Sequence, residues 1–261
     1  MFNWRFACDY LKHYFTAKSR HGVHSPFVYE LVDDVIYDFS AKTDYLPIEQ
    51  IRQQLLQSKA KVTIVDLGAG SHTNKSQVKE VREIAKNVLK SPRLAQLIFR
   101  LVAHFEPKNV VELGTCLGVT SLYLNQANPS AQITTVEGCR EIADVAAKNF
   151  AIMEAKNIDL VVGNFDDVLP QVLQKEQNID FVFIDGNHTE AATLRYFDWI
   201  LQKAYDKTVI VFDDIYWSEG MKSAWKKIKQ HPQVTVTIDL FWVGLVFFKK
   251  DQVKEDFKVK F

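Results

Sequence analysis

Cysteine is scarce in this chain of 261 residues. Cys8, Cys116 and Cys139 are too few and too scattered for a disulfide framework, and no two stand at metal-ligand spacing. They read as reduced thiols, as in a reducing compartment. Excess charge of either sign is also lacking, because 32 Lys plus Arg balance 32 Asp plus Glu. That balance leaves no electrostatic case for a general nucleic-acid binder. Long apolar runs are absent: the most apolar stretch, 234–248, is interrupted by Asp239. It falls short of the ~20 apolar residues a membrane span needs. There are no repeats, low-complexity tracts or Gly/Ser-rich linkers. The opening Met1-Phe2-Asn3-Trp4-Arg5 has no basic-then-apolar leader pattern. These absences predict a soluble, cytoplasmic protein with no membrane and no nucleic-acid partner.

What is present is ordinary globular material, with 47% apolar and 25% charged residues, and this excludes wholesale disorder. The texture changes near residue 106. Before it the pattern is helical. Ser25-Pro26 and Ser91-Pro92 are helix starts, a cap residue followed by proline at the first helical position. Apolar stripes follow: Phe27, Leu31 and Val35; Ile48, Ile51 and Leu55; Val78, Val81, Ala85, Val88 and Leu89; and Leu94, Leu97, Ile98, Leu101, Val102 and Phe105. After residue 106, apolar runs at 109–113, 132–137, 159–162, 179–185 and 208–213 alternate with amphipathic helices. Such alternation predicts a parallel sheet wound on both faces. Two strands in quick succession, 234–240 and 243–249, are too close for a parallel crossover and should pair antiparallel. The expectation is a doubly wound α/β domain over 91–261, with seven strands, and a helical N-terminal extension over 1–90.

Two segments resemble the glycine-rich turn after a first strand. Asp66-Leu67-Gly68-Ala69-Gly70 has the more familiar spelling, but a polar stretch from Ser71 to Ser76 and helical stripes follow it, with no second strand expected. It reads as a surface turn or as a loop folding over a site. Glu112-Leu113-Gly114-Thr115-Cys116-Leu117-Gly118 has a strand before it and a helix after it. Glu137 closes the next strand, at the ribose-binding position expected about 20 residues on. The spelling is not Gly-x-Gly-x-x-Gly, which disfavours a pyrophosphate cradle. An acid at the strand end would repel a pyrophosphate and suits a ligand carrying an ammonium or sulfonium cation, which points to S-adenosylmethionine (SAM).

With these motifs the stretch from about residue 91 onward resembles the Rossmann-like class I SAM-dependent methyltransferases, most closely the small-molecule O-methyltransferases of catechol and caffeoyl-CoA type. The resemblance implies that Glu112, Gly114, Thr115 and Gly118 hold the methionine end of the cofactor and that Glu137 takes both ribose hydroxyls. Asn164 and Phe165, after Gly163, occupy the adenine-contacting turn, where the family often has Asp or Ser at position 164. Arg20-His21-Gly22-Val23-His24-Ser25-Pro26-Phe27 is similar to an N-terminal motif of uncharacterised bacterial relatives and carries no chemistry of its own.

Asp185 ends the fourth parallel strand and Asp213-Asp214 the fifth, at neighbouring carboxyl ends in a doubly wound sheet. Asp213 and Asp214 reach one site only if the strand stops and turns there. Three carboxylates together repel by about 4 kcal/mol per close pair at an effective dielectric near 20. Mg²⁺ or another divalent cation held by Asp185, Asp213 and Asp214 would relieve this. The metal-dependent relatives have Asp-Asn where this chain has Asp213-Asp214. The other reading has Asp185 binding the cofactor or acceptor, with Asp213 and Asp214 capping the next helix. His188 falls where catechol-type enzymes place a basic lysine, so it is a candidate general base beside Asp185; otherwise it is a helix-start histidine. Tyr216 and Trp217 either wall an acceptor pocket or pack on the following helix. His13, His21, His24 and His72 read as solvated or structural.

The leading function is methyl transfer from SAM to an oxygen of a small-molecule acceptor, with a homodimer as an open option. A non-catalytic SAM-binding protein and an NAD(P)-dependent oxidoreductase are the alternatives. A nucleic-acid methyltransferase would carry an Asn/Asp-Pro-Pro-aromatic string where Asp185-Gly186-Asn187-His188 stands.

Overall fold

The computed structural model describes residues 4–22, 24–64 and 77–261. The chain forms two compact units, Met1–Phe39 with Glu176–Phe261, and Ser40–Lys175. The expected boundary at 90/91 is where the doubly wound pattern is read to begin; the compact units divide at 39/40 and 175/176.

The first unit opens with helix α1 (Trp4–Thr16), which lays Phe6 and Tyr10 edge-on against Phe241 at 5.1 and 5.0 Å between ring centroids. Helix α2 (Pro26–Glu30) starts at the predicted Ser-Pro pair, and the Ser25 hydroxyl accepts the Val28 N–H. The helix widens into a π turn over Leu31–Ile36 that buries Leu31, Val32, Val35 and Ile36.

The Ser40–Lys175 unit contains α3 (Tyr45–Gln57), β1 (Lys61–Ile64), β2 (Gln77–Glu80), α4 (Val81–Val88) and α5 (Pro92–Phe105), then β3 (Asn109–Leu113), α6 (Val119–Ala127), β4 (Gln132–Glu137), α7 (Arg140–Ile152), β5 (Ile158–Val162) and α8 (Phe165–Lys175). Strands β3, β4 and β5 are parallel, with β4 in the middle. Their helices share one core, in which Ile48 and Ile51 of α3, Ile84 of α4, Phe99 of α5, Tyr123 of α6 and Phe150 of α7 are buried together. The helical stripe of α3 and the Ser91 cap of α5 fall where the spacing predicts. The stretch before residue 91 is not purely helical, however. β1 and β2 pair antiparallel, with Lys61 opposite Glu80. A strand therefore follows Asp66 after all, but not the parallel one that a nucleotide loop requires. Val78, counted in a helical stripe, sits on β2 and is 65% exposed. The helix begins only at Val81, where the Glu83 carboxylate accepts the Glu80 N–H. Asp66, Gly68, Gly70 and His72 lie outside the described residues.

The first unit resumes with β6 (Phe181–Ile184), α9 (Glu190–Leu201), β7 (Val209–Asp213), α10 (Glu219–Gln230), β8 (Val236–Asp239), β9 (Val243–Phe247) and β10 (Glu255–Lys258). The strand order is β10-β8-β9-β7-β6. β6 and β7 are parallel, and β9 is antiparallel to both β7 and β8. The two units together hold the five parallel strands and the terminal antiparallel pair that the pattern predicts. β10 is an addition, parallel to β8. Its Glu-Asp-Phe-Lys sequence has no apolar alternation to announce a strand. Among the described residues no helix is long and apolar enough to cross a membrane.

Candidate active site

In the Ser40–Lys175 unit the chain leaves β3 through two glycines in left-handed backbone, Gly114 at φ 104° and Gly118 at φ 79°. The loop is pinned to β4 by N–H bonds from Gly114 (2.9 Å) and Thr115 (3.2 Å) to the Val136 carbonyl. Gly118 sits at the cap position of α6, where an added Cβ would lie 2.6 Å from the Phe150 ring. Glu137, at the end of β4, accepts the Cys116 N–H on one carboxylate oxygen (2.8 Å) and the Cys139 N–H on the other (2.9 Å). The half-buried carboxylate is thereby oriented by backbone. The Gly163 N–H bonds to the Glu137 carbonyl at 2.9 Å, which brings the 163–165 turn to the same strand end. There the Asn164 side chain accepts the Asp166 N–H (3.0 Å), and Phe165 begins α8.

Glu112, which the resemblance assigns to the methionine end of the cofactor, stands on β3. It is fully buried, and one carboxylate oxygen accepts the hydroxyls of Ser121 and of Thr135, the latter at 2.6 Å. The Thr115 and Thr135 hydroxyl oxygens are 2.6 Å apart. Hydroxyl donors offset part of the cost of burying a carboxylate. These bonds tie Glu112 on β3 to α6 and β4.

In the other unit β7 stops at Asp213, which is 2% exposed, and Asp214 turns the chain at φ 54°. The strand stops and turns, so the geometric condition for both carboxylates to face one site is met. Asp185 follows β6, and His188 immediately precedes Thr189, whose hydroxyl caps α9 by accepting the Ala192 N–H. His188 Nε2 lies 3.6 Å from Asp185 Oδ1 and 3.8 Å from Asp214 Oδ2. Asp185, His188 and Asp213 each offer a ligand atom, and these atoms lie within 4.8 Å of one another. Two carboxylates and an imidazole suit a divalent cation of intermediate hardness. The grouping differs from the expected trio of acids: His188 joins Asp185 and Asp213, and Asp214 stands beside His188. Helix α10 takes its cap from Ser218, whose hydroxyl accepts the Met221 N–H at 3.1 Å, so Asp213 and Asp214 are not its caps.

Tyr216 is half-buried and directed toward Asp239 and Phe241. Its hydroxyl donates to Asp239 Oδ2 (2.8 Å), and its ring stacks on Phe241 at 4.7 Å. Burial, then the Asp239 charge, push its phenol well above the ordinary range. Trp217 is 60% exposed.

Residues 111–215 match a family described as a methyltransferase domain. An O-methyltransferase of Bacillus cereus, solved in complex with SAH, aligns with a TM-score of 0.57 at 17% identity, over 84% of this chain and 96% of its own. The fold is that of the class I methyltransferases. A catechol O-methyltransferase of Niastella koreensis is 28% identical over 128 residues, 48% of this chain and 57% of its own. The O-methyltransferase imqG of Aspergillus flavus is 30% identical over 114 residues, 41% of this chain and 45% of its own. The chain spans about half the length of these curated relatives. The methyltransferase-domain match takes in both the glycine loop and the 185–214 segment, and it leaves out α1.

The sequence left one residue pair unread. His13 is 4% exposed and lies 3.0 Å from Asp239, which is 1% exposed. In the sequence Asp239 is the break in an apolar run. A lone carboxylate in such a run was the available signal, since buried acids are almost always partnered.

Proposed function

We propose that the chain is a SAM-dependent O-methyltransferase that acts on a hydroxyl of a small molecule with the help of a divalent cation. The convergence of Asp185, His188 and Asp213 ligand atoms within 4.8 Å carries the reading; the chain also holds a glycine loop and a strand-end acid of methyltransferase pattern. Gly114, Thr115 and Gly118 give the cofactor a close backbone approach, Glu137 takes the ribose hydroxyls, and Asn164 with Phe165 borders the adenine. Glu112 ties β3 to α6 and β4. SAM supplies a methyl group on a sulfonium, and a divalent cation supplies a positive charge that makes a hydroxyl more acidic. A phenolic hydroxyl ordinarily loses its proton near pH 10. Asp185, His188 and Asp213 would hold the cation, and methyl transfer requires the acceptor oxygen in line with the methyl carbon.

A second reading is favoured by the 3.6 and 3.8 Å placements of His188 beside Asp185 and Asp214. In it the imidazole takes the hydroxyl proton, and the two carboxylates stabilise the imidazolium that forms; such a base is worth roughly 10²–10⁴ in rate. His188→Gln separates the roles: as ligand its loss weakens Mn²⁺ binding, and as base it spares Mn²⁺ and SAM binding while turnover falls.

The test is SAH formation by mass spectrometry from SAM, Mg²⁺ or Mn²⁺ and a panel of catechols and other aromatic hydroxyl compounds. Turnover that EDTA abolishes is the expected result. SAM binding without SAH from any acceptor would reduce the protein to a SAM-binding module. Failure to bind SAM would overturn the reading altogether.

A further inference from the structure

Asp239, the last residue of β8, is 1% exposed and accepts four hydrogen bonds on its carboxylate. One carboxylate oxygen accepts His13 Nε2–H (3.0 Å) and the Phe241 N–H (3.0 Å). The other accepts the Tyr216 hydroxyl (2.8 Å) and the Trp225 indole N–H (3.3 Å). The His13 Nε2–H also reaches the Asp239 carbonyl at 3.1 Å, so this nitrogen is the protonated one. The donors come from α1, the segment after β7, α10 and the β8–β9 turn.

Two of these connections converge on the segment that bears Asp213 and Asp214. Tyr216 follows in the same loop and is fixed by its hydroxyl to Asp239 and by its ring to Phe241. On the facing turn the Trp242 carbonyl accepts the Asp214 N–H at 2.9 Å, and Val243 stands opposite Asp213. The His13 ring packs edge-on against both Tyr216 and Phe241, at 6.0 and 5.6 Å. Burial alone pushes the Asp239 carboxyl up; hydrogen bonds from His13, the Phe241 N–H and Tyr216, with the His13 charge, outweigh it and hold the group below the ordinary carboxylate range. Apolar packing would supply the stability of this junction without the cost of burying an ion pair. Directional bonds supply a single arrangement of the loop instead.

We infer that Asp239 is a positioning residue for the Asp213–Asp214 loop, and that His13 makes helix α1 a working part of the acceptor side of the site. The inference rests on the proposed function for what that loop does, and on the hydrogen-bond geometry for how it is held.

The test uses the full chain with Asp239→Asn, Tyr216→Phe and His13→Gln. Tyr205→Phe is the control; it deletes a 2.5 Å bond to Asp180 at the opposite end of β6 and β7. Four quantities are read: the ¹³C-imidazole signal of His188, assigned with His188→Gln; Mn²⁺ affinity by calorimetry; SAM affinity; and melting temperature. In Asp239→Asn and Tyr216→Phe the His188 signal moves and Mn²⁺ affinity falls about 10–100-fold, the usual cost of losing an outer-shell partner. His13→Gln changes both in the same direction, and SAM affinity holds throughout. Tyr205→Phe lowers the melting temperature and leaves His188 and Mn²⁺ alone. Folded Asp239→Asn and Tyr216→Phe proteins with the wild-type His188 signal would overturn the inference. Should the wild-type protein bind no Mn²⁺, the divalent-cation reading falls, and the His188 signal still decides whether Asp239 positions the loop.

Discussion

Substituting Gly118 by alanine tests the loop at the point where backbone and packing constraints coincide. The residue holds φ +79°, and an added Cβ would meet Phe150 Cε1 at 2.6 Å, Phe150 Cζ at 3.0 Å and Ala146 Cβ at 3.1 Å. Left-handed backbone costs an L-residue about 1–2 kcal/mol. Phe150 and Ala146 are core residues at 7% and 0% exposure, so neither can swing into solvent. Overpacking of this kind costs about 1–3 kcal/mol. The sum is about 2–5 kcal/mol, or a melting temperature lowered by about 4–20 °C at ~2–4 °C per kcal/mol for a chain of this size. Displacement of the α6 start also moves the Gly114–Gly118 backbone, so SAM affinity should fall as well. Gly220→Ala is the matched control: its Cβ would find nothing closer than 3.5 Å, and the residue is helical. That change should stabilise by about 0.4–1 kcal/mol. Melting curves and SAM titration of both variants decide the matter. A Gly118→Ala protein that melts with the wild type and binds SAM equally would refute the assignment of strain and contact to this position.

Other outcomes follow from the same structure. Asp213→Ala should abolish Mn²⁺ binding in calorimetry while leaving SAM affinity intact; retained Mn²⁺ binding would remove Asp213 from the ligand set. Asp239 has a folded-state pKa below its unfolded value of about 3.9, so its stabilising effect is present above that pH and is lost as pH falls through the folded value. Melting temperature should therefore drop below about pH 4 in the wild type and drop less in Asp239→Asn, a difference that scanning calorimetry across pH can show. Glu49 accepts the Arg52 guanidinium (2.9 Å) and the Tyr123 hydroxyl (2.7 Å), and Arg52 is 4% exposed. Arg52 also donates to the Lys90 carbonyl at 2.6 Å, so Glu49→Gln removes the charge partner alone and should cost about 1.5–3 kcal/mol in urea unfolding; a wild-type midpoint would contradict the pairing.

Features written in local spacing were legible in the sequence. The serine caps before Pro26 and Pro92, the glycines at 114 and 118, the acid ending β4 and the carboxylates ending β6 and β7 each follow from neighbours a few residues away. The segment from Gly114 to Gly118 has the strand before it and the helix after it that its spacing requires. What escaped was set by contacts distant in the chain. His13 and Asp239 are 226 positions apart, and neither has a local pattern that names the other. β10 is a strand because β8 offers it a ladder. β2 is a strand because β1 does, and Val78 leaves the helical stripe for that pairing. The move of His188 into the ligand group depends on how the loops after β6 and β7 meet, a matter of three-dimensional path rather than of residue type.

β10 has a consequence for solubility. Every residue of β8 is buried, and an all-buried strand with an open ladder on one side is a template for another chain. β10 occupies that side, with Glu255 opposite Val236 and Lys258 opposite Asp239, and the Asp256 carboxylate takes the Thr237 hydroxyl at 2.6 Å. The rim of the sheet is thus closed by a short, charged strand that a stray polypeptide would pair with poorly. Trimming the chain before Glu255 would leave the β8 backbone ladder unpaired on that side, and the first symptom would be clumping.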